Sequence, residues 1–200
     1  MLNKKIKIFG LDLDNTVIDY TESYINIAKR FKLNTNLRTR NSIRNYFKKT
    51  PEGEFVWQKF QSELYSTGLS FAKPAHGLLE FLHKSEVNNI KICIISHKTE
   101  FTTSGINLRS HSIRWLETNN IIPNLIKIND TYFCDSQEDK IKKIEELNCD
   151  YFADDLVSIL ENQKFPKKVG RILVDLENSI TNYNKNCIKI SDFSDLLDLI

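Results

Sequence analysis

Short apolar runs recur along this 200-residue chain, and the stretches between them carry helical patterns; this alternation limits the fold more than any other feature. The runs lie at 5–11, 90–96, 125–128 (with 132–134 as the competing choice), 151–153, 171–174 and 187–190. Between several of them, apolar residues repeat at i, i+3 and i+4. Leu78, Leu79 and Leu82 do so within 76–84, Ile113, Trp115 and Leu116 within 108–119, and Ile141, Ile144 and Leu147 within 138–147. Ile92-Cys93-Ile94-Ile95 shows no polar alternation, which marks a central strand buried on both faces. Strands alternating with helices predict an α/β protein, a Rossmann-like three-layer α/β/α core around a mainly parallel sheet. Ligands of such sheets bind beyond the carboxyl ends of the strands, where strand order reverses. Chemistry is to be sought there.

The interval 20–72 differs in character. It holds helical patterns at 21–31, 39–48 and 52–65, polar breaks at 34–36 and 50–53, and no convincing strand. The expected division is a core of 1–19 and 73–200 with a small all-helical cap of 20–72 inserted after the first strand. A lid in that position excludes water from a site at the strand's end; helices merely flanking the sheet are the plainer alternative. Arg38, Arg40, Arg44, Lys48 and Lys49 form a basic stretch, which reads as a solvated helix face. A net charge of +2 gives no reason to expect a nucleic acid or membrane partner. Residues 1–5 run directly into a strand without the apolar region of a secretory signal. The four cysteines form no CxxC pair, so a reducing cytoplasm without disulfides or a zinc site is expected. Monomer and homodimer are both compatible with the chain.

The strand ends carry the polar residues that matter. After Ile6-Lys7-Ile8-Phe9-Gly10-Leu11 come Asp12 and Asp14, whose side chains share a side of an extended segment. Two such acids repel unless a cation is held between them, although Asp and Asn also suit plain turns. The run 90–96 ends in Ser96, a hydroxyl placed to bind an anion or to cap a helix. Lys140 lies near a helix start, where the dipole disfavours a cation; it either neutralises a phosphate or is simply solvated. The run 151–153 ends in Asp154-Asp155, an acidic pair that a metal ion relieves and a helix N-terminus also tolerates.

In this order the features resemble the haloacid dehalogenase (HAD) superfamily of phosphohydrolases. Asp12-Leu13-Asp14-Asn15-Thr16-Val17 matches its first motif, Ser96 its second, Lys140 its third and Asp154-Asp155 its fourth. Lys142 and Lys143 compete with Lys140 for the third. The phrase from Lys73-Pro74-Ala75-His76-Gly77 to Leu82 looks like that family's return from cap to core, and the resemblance spans about 5–160. Too few residues separate the third and fourth motifs for a second lid, leaving 20–72 as the cap.

The resemblance implies a Mg²⁺-dependent phosphatase acting on a small phosphorylated metabolite through an aspartyl-phosphate. It makes Asp12 the nucleophile and Asp14 the proton shuttle, with Ser96 and Lys140 holding the phosphoryl oxygens. Mg²⁺ is implied on Asp12, the Asp14 carbonyl and Asp155, with Asp154 behind. Asn15, Thr16, His97 and Lys98 are further candidates for substrate contact, His97 and Lys98 with ordinary loop positions as the alternative. Asn15 replaces a common Gly, and Asn is the side chain most tolerant of left-handed backbone. Other readings compete. They are a HAD-fold scaffold with little turnover, a phosphoryl-transfer enzyme acting on sugar phosphates or nucleotides, and a glycosyltransferase whose DxD motif would leave Ser96, Lys140 and Asp154-Asp155 without purpose. A receiver domain fits less well, because its phosphorylated Asp lies on a later strand.

Overall fold

The computed structural model describes residues 6–34, 36–37 and 39–200. In chain order the elements are β1 (Ile8–Leu11), β2 (Ile18–Asp19), α1 (Thr21–Arg30), α2 (Arg40–Lys48), α3 (Gly53–Leu64), β3 (Lys73–Pro74), α4 (Leu78–Val87) and β4 (Lys91–His97). There follow α5 (Leu108–Thr118), β5 (Thr131–Cys134), α6 (Gln137–Glu146), β6 (Tyr151–Asp154), α7 (Val157–Leu160), β7 (Gly170–Val174) and β8 (Ile188–Ile190). The described residues separate into two compact units, one drawn from 6–18, 74–98 and 116–200, the other from 19–73 and 99–115.

The first unit is built on a six-stranded sheet of order β5-β4-β1-β6-β7-β8, parallel at every pairing. The chain builds outward from β1 through β4 to β5, then returns to β6 on the other side of β1. Strand order therefore reverses at β1, which places the ligand crevice at the carboxyl ends of β1, β4 and β6. The pleat distributes the β1 side chains between the two faces. Phe9 meets Phe81 of α4 edge-on at 5.0 Å. On the opposite face Cys93, Ile95, Phe152 and Leu173 pack with Ile144 of α6 and Ile159 and Leu160 of α7. Gly10 permits this second layer to close, since a Cβ there would lie 2.6 Å from the Phe152 ring.

The run 125–128 forms no strand, and the competing choice 132–134 falls within β5. Ile126 is buried, but through a turn in which its N–H donates to the Ile121 carbonyl at 2.9 Å. That bond takes the backbone donor a strand would need. Thr131 instead pairs with Ile94, extending the sheet. Residue 5, assigned to the first strand by its sequence, lies outside the described residues.

Gly77, at the start of α4, is held with φ at +71°. A Cβ there would come within 2.4 Å of Asp192 Oδ1 and of the Ser194 nitrogen. Gly77→Ala is therefore expected to cost about 2 kcal/mol or more, from left-handed strain plus the clash. Urea titration should show a lower midpoint, and thermal melts a fall of roughly 4–8 °C.

The second unit collects α1, α2 and α3 around an aromatic core. Trp57 and Phe60 stack at 5.8 Å, and Phe47 lies against both. Thr39 caps α2 by accepting from the Ser42 nitrogen while the Ser42 hydroxyl accepts from the Thr39 nitrogen. Within the basic stretch, Arg44 pairs with Glu54 at 2.6 Å and lies over the Trp57 ring, so it is spent inside the unit. Arg38 lies outside the described residues. The residues 99–115, which sequence alone groups with the core, cluster with these helices. Phe101, Ile106 and Leu108 line one cleft with Phe31, Phe55 and Tyr65. Among the described residues, no helix is long and apolar enough to cross a membrane.

Candidate active site

The end of β1 is fastened before its acids begin. The Asp12 N–H donates to the Ala153 carbonyl at 2.8 Å, carrying the β1–β6 pairing one residue beyond the strand. The chain then turns tightly, the Leu13 carbonyl accepting from both Val17 and Ile18. Asn15 occupies the left-handed region at φ +58°, the geometry for which Asn is tolerated. Thr16 is fully buried, and its Oγ1 has no hydrogen-bond partner among the described residues.

Asp154, at the end of β6, is also fully buried. Its Oδ1 accepts from the Leu156 nitrogen at 2.8 Å, while its Oδ2 lies 2.7 Å from the Lys140 ammonium. The same ammonium donates to Asp12 Oδ1 at 2.5 Å. Lys140 sits in the first turn of α6, whose N-cap Ser136 accepts from the Asp139 nitrogen. Of the three competing lysines, Lys140 reaches this cluster, whereas Lys142 pairs with Glu138 and Lys143 with Glu146. Lys140 lies four residues before Ile144, on the buried side of α6, and this shared face directs it inward.

Asp14 is held separately. Lys98 donates to both of its carboxylate oxygens, at 2.8 and 2.6 Å, and is itself only 3% exposed. The sequence offers Lys98 as a candidate for substrate contact, and its pairing with Asp14 is not legible there. Period-two alternation was the available signal, because Ser96 and Lys98 are buried while His97 between them is exposed. Ser96 itself is buried near the carboxyl end of β4, two residues beyond the Ile94–Leu11 pairing. No helix begins at Ser96; α5 starts at Leu108, so the alternative of a helix cap does not apply.

The electrostatics follow from burial. Burial pushes the Asp12 carboxyl up to about 7; Lys140 opposes the rise, and the charges of Asp154 and Asp14 add to it. Burial alone would lower Lys140, but the Asp12 and Asp154 carboxylates outweigh it and hold the ammonium above its ordinary range. Two buried carboxylates thus share one cation, and excess negative charge remains.

Asp12, Asp154 and Asp155 each offer an oxygen within 4.8 Å of the others. The Asp14 carboxylate is not in that group. With all ionised, four acids face two ammonium groups, which leaves the charge that one divalent cation balances. Hard carboxylate oxygens, with no thiolate or imidazole among the three, suit Mg²⁺. The residues present fit such an ion.

A parallel sheet reversing at β1, with acids at the ends of β1 and β6, defines an α/β Rossmann-like fold. Several solved HAD-superfamily hydrolases share this fold. A haloacid dehalogenase-like hydrolase from Streptococcus pneumoniae superposes with a TM-score of 0.65 at 13% identity, over 98% of this chain and 99% of that one. A HAD hydrolase from Bacillus subtilis, solved bound to magnesium, gives 0.63 at 11% identity over 98% and 99%. A predicted phosphatase from Clostridium acetobutylicum gives 0.62 at 15% identity over 98% of each chain. No protein-family model matches the sequence, and neither does any curated protein.

Proposed function

We propose that this chain is a Mg²⁺-dependent phosphatase of the HAD superfamily, hydrolysing a small phosphomonoester through an aspartyl-phosphate. The observation that carries the reading is the meeting of Asp12, Asp154 and Asp155 with the buried Lys140 ammonium at the carboxyl ends of β1 and β6. Hydrolases and a predicted phosphatase of the same fold, one bound to magnesium, support it.

Asp12, the Asp14 carbonyl and Asp155 would hold Mg²⁺, with Asp154 behind, and the ion would supply charge to offset the approaching phosphate. The Asp12 carboxylate attacks phosphorus, forming one P–O bond as the ester P–O bond breaks, and Asp14 gives a proton to the leaving oxygen. Water then attacks the phosphorylated Asp12 as Asp14 takes its proton. Lys140 keeps Asp12 aimed and charge-balanced, and Ser96 joins it in holding phosphoryl oxygens. The thiols offer no rival nucleophile. All four cysteines are free and buried, and burial pushes Cys93 up to about 11 and Cys149 up to about 12. In this reading the helices of 20–72 are the cap.

Purified protein with Mg²⁺ should release phosphate from p-nitrophenyl phosphate or from members of a phosphometabolite panel. EDTA should reduce this to background and added Mg²⁺ restore it. Mg²⁺ at about 100 times its dissociation constant should also stabilise the fold by about 2.7 kcal/mol, visible as a higher melting temperature. Absence of turnover across the panel, with a bound protein partner instead, would favour the scaffold reading.

A further inference from the structure

We propose that Lys98 is a positioning residue that fixes the Asp14 carboxylate for the hydrolytic half of the reaction, and is not a ligand of the phosphoryl group. The inference rests on the phosphatase reading above. The Lys98 ammonium reaches both oxygens of Asp14, at 2.8 and 2.6 Å, and the side chain is 3% exposed. Both ends of this contact are anchored. The Lys98 N–H donates to the Cys134 carbonyl at 3.2 Å, prolonging the β4–β5 pairing past the end of β4. Asp14 rises from the turn closed on the Leu13 carbonyl. The two buried lysines thus divide the acids, Lys140 serving Asp12 and Asp154 and Lys98 serving Asp14.

A carboxylate presents about four lone-pair sites. Contacts to both oxygens suppress rotation about Cβ–Cγ and hold the remaining sites in one direction. That matters for a base, because a proton acceptor must lie within hydrogen-bond reach of the water it deprotonates. In the second step the water oxygen forms a bond to phosphorus and the P–O bond to Asp12 breaks. Its electron pair returns to the Asp12 carboxylate, and the water proton passes to Asp14. Without Lys98, repulsion from the neighbouring Asp12 charge favours other orientations of the Asp14 carboxylate.

The test is pre-steady-state hydrolysis of p-nitrophenyl phosphate, whose leaving group needs little protonation, by wild type, Lys98→Met, Lys98→Arg and Asp14→Asn. Lys98→Met should lower kcat about 10²-fold. It should still release a burst of about one equivalent of p-nitrophenol, as the phosphorylated enzyme accumulates. Inhibition by inorganic phosphate should stay within about twofold, and Lys98→Arg should recover part of the rate through its two-pronged contact to a carboxylate. In an Asp14→Asn background, Lys98→Met should cost less than about twofold more, because it acts through Asp14. If Lys98→Met fails to fold, Lys98→Gln carries the same comparison. Loss of the burst together with weaker phosphate inhibition would overturn the assignment in favour of a phosphate ligand, and an unchanged kcat would overturn it too. A wild-type protein that neither releases p-nitrophenol nor becomes phosphorylated on Asp12 would instead sink the phosphatase reading, and this assignment with it.

Discussion

Asp12→Asn is expected to lower kcat about 10⁴-fold or more, the scale of loss when a covalent nucleophile is removed. The amide keeps the shape of the carboxylate but cannot form an acyl phosphate. The fold should not suffer. Asp12 is pushed up to about 7 because it is buried beside other acids, so its ionised form is a liability to the metal-free native state. The sign follows from proton counting. Between its ordinary value and about 7 the native state binds more protons than the unfolded one, so the metal-free protein loses stability as pH rises through that window. Asp12→Asn removes this slope. Melts in EDTA between pH 5 and pH 8 should therefore be flatter for Asp12→Asn than for wild type. Mass spectrometry of enzyme quenched during turnover should place a phosphoryl group on the Asp12 peptide in wild type and on no peptide of Asp12→Asn. Retained turnover in Asp12→Asn would eliminate Asp12 as the nucleophile.

Lys140→Met should be the most destabilising single change at the site. The ammonium is 2% exposed and lies against Asp12 and Asp154, neither of which has ready access to water. Removing one partner of a buried ion pair leaves an uncompensated charge and costs about 3–5 kcal/mol. In a chain of this size that is roughly 6–20 °C of melting temperature. The deficit should be largest above neutral pH in EDTA and shrink toward pH 5, where protonation of Asp12 relieves the repulsion. Mg²⁺ should recover part of it, because a divalent cation takes over the lost charge. Lys142→Met, which removes only an exposed contact to Glu138, should melt within about 1 °C of wild type. Similar losses from both lysines would show that the buried contact to Asp12 and Asp154 carries no special weight.

Most of the sheet could be read from the order of residues. A run such as Ile92-Cys93-Ile94-Ile95 can be buried on both faces only in the interior of a sheet, and it becomes β4, flanked by β1 and β5. The helical patterns at 21–31, 39–48 and 52–65 correspond to α1, α2 and α3 with ends shifted by a residue or so. The run 125–128 misled because apolar content does not distinguish a strand from a turn that buries one Ile. Backbone hydrogen bonds decide that, and they are not local in sequence. The association of 99–115 with the helices was hidden for the same reason, since Phe101, Ile106 and Leu108 show no periodicity that names the surface they join.

Sequence by itself determined the alternation of strands and helices, the turn that follows the first strand, and the order in which the acids, the hydroxyl and the helix lysine follow one another along the chain. These follow from side-chain period, backbone sterics and chain direction, which neighbouring residues control. Only the tertiary structure decided which charge meets which. Lys140, near the start of α6, reaches Asp12 across 128 positions and Lys98, just past β4, reaches Asp14 across 84; both pairings exist because the parallel sheet brings distant strand ends, and the start of the helix that follows β5, to one edge. Burial of Asp12 and Asp154 then makes their pairing with Lys140 obligatory, since an acid removed from water must find a cation or give up its charge.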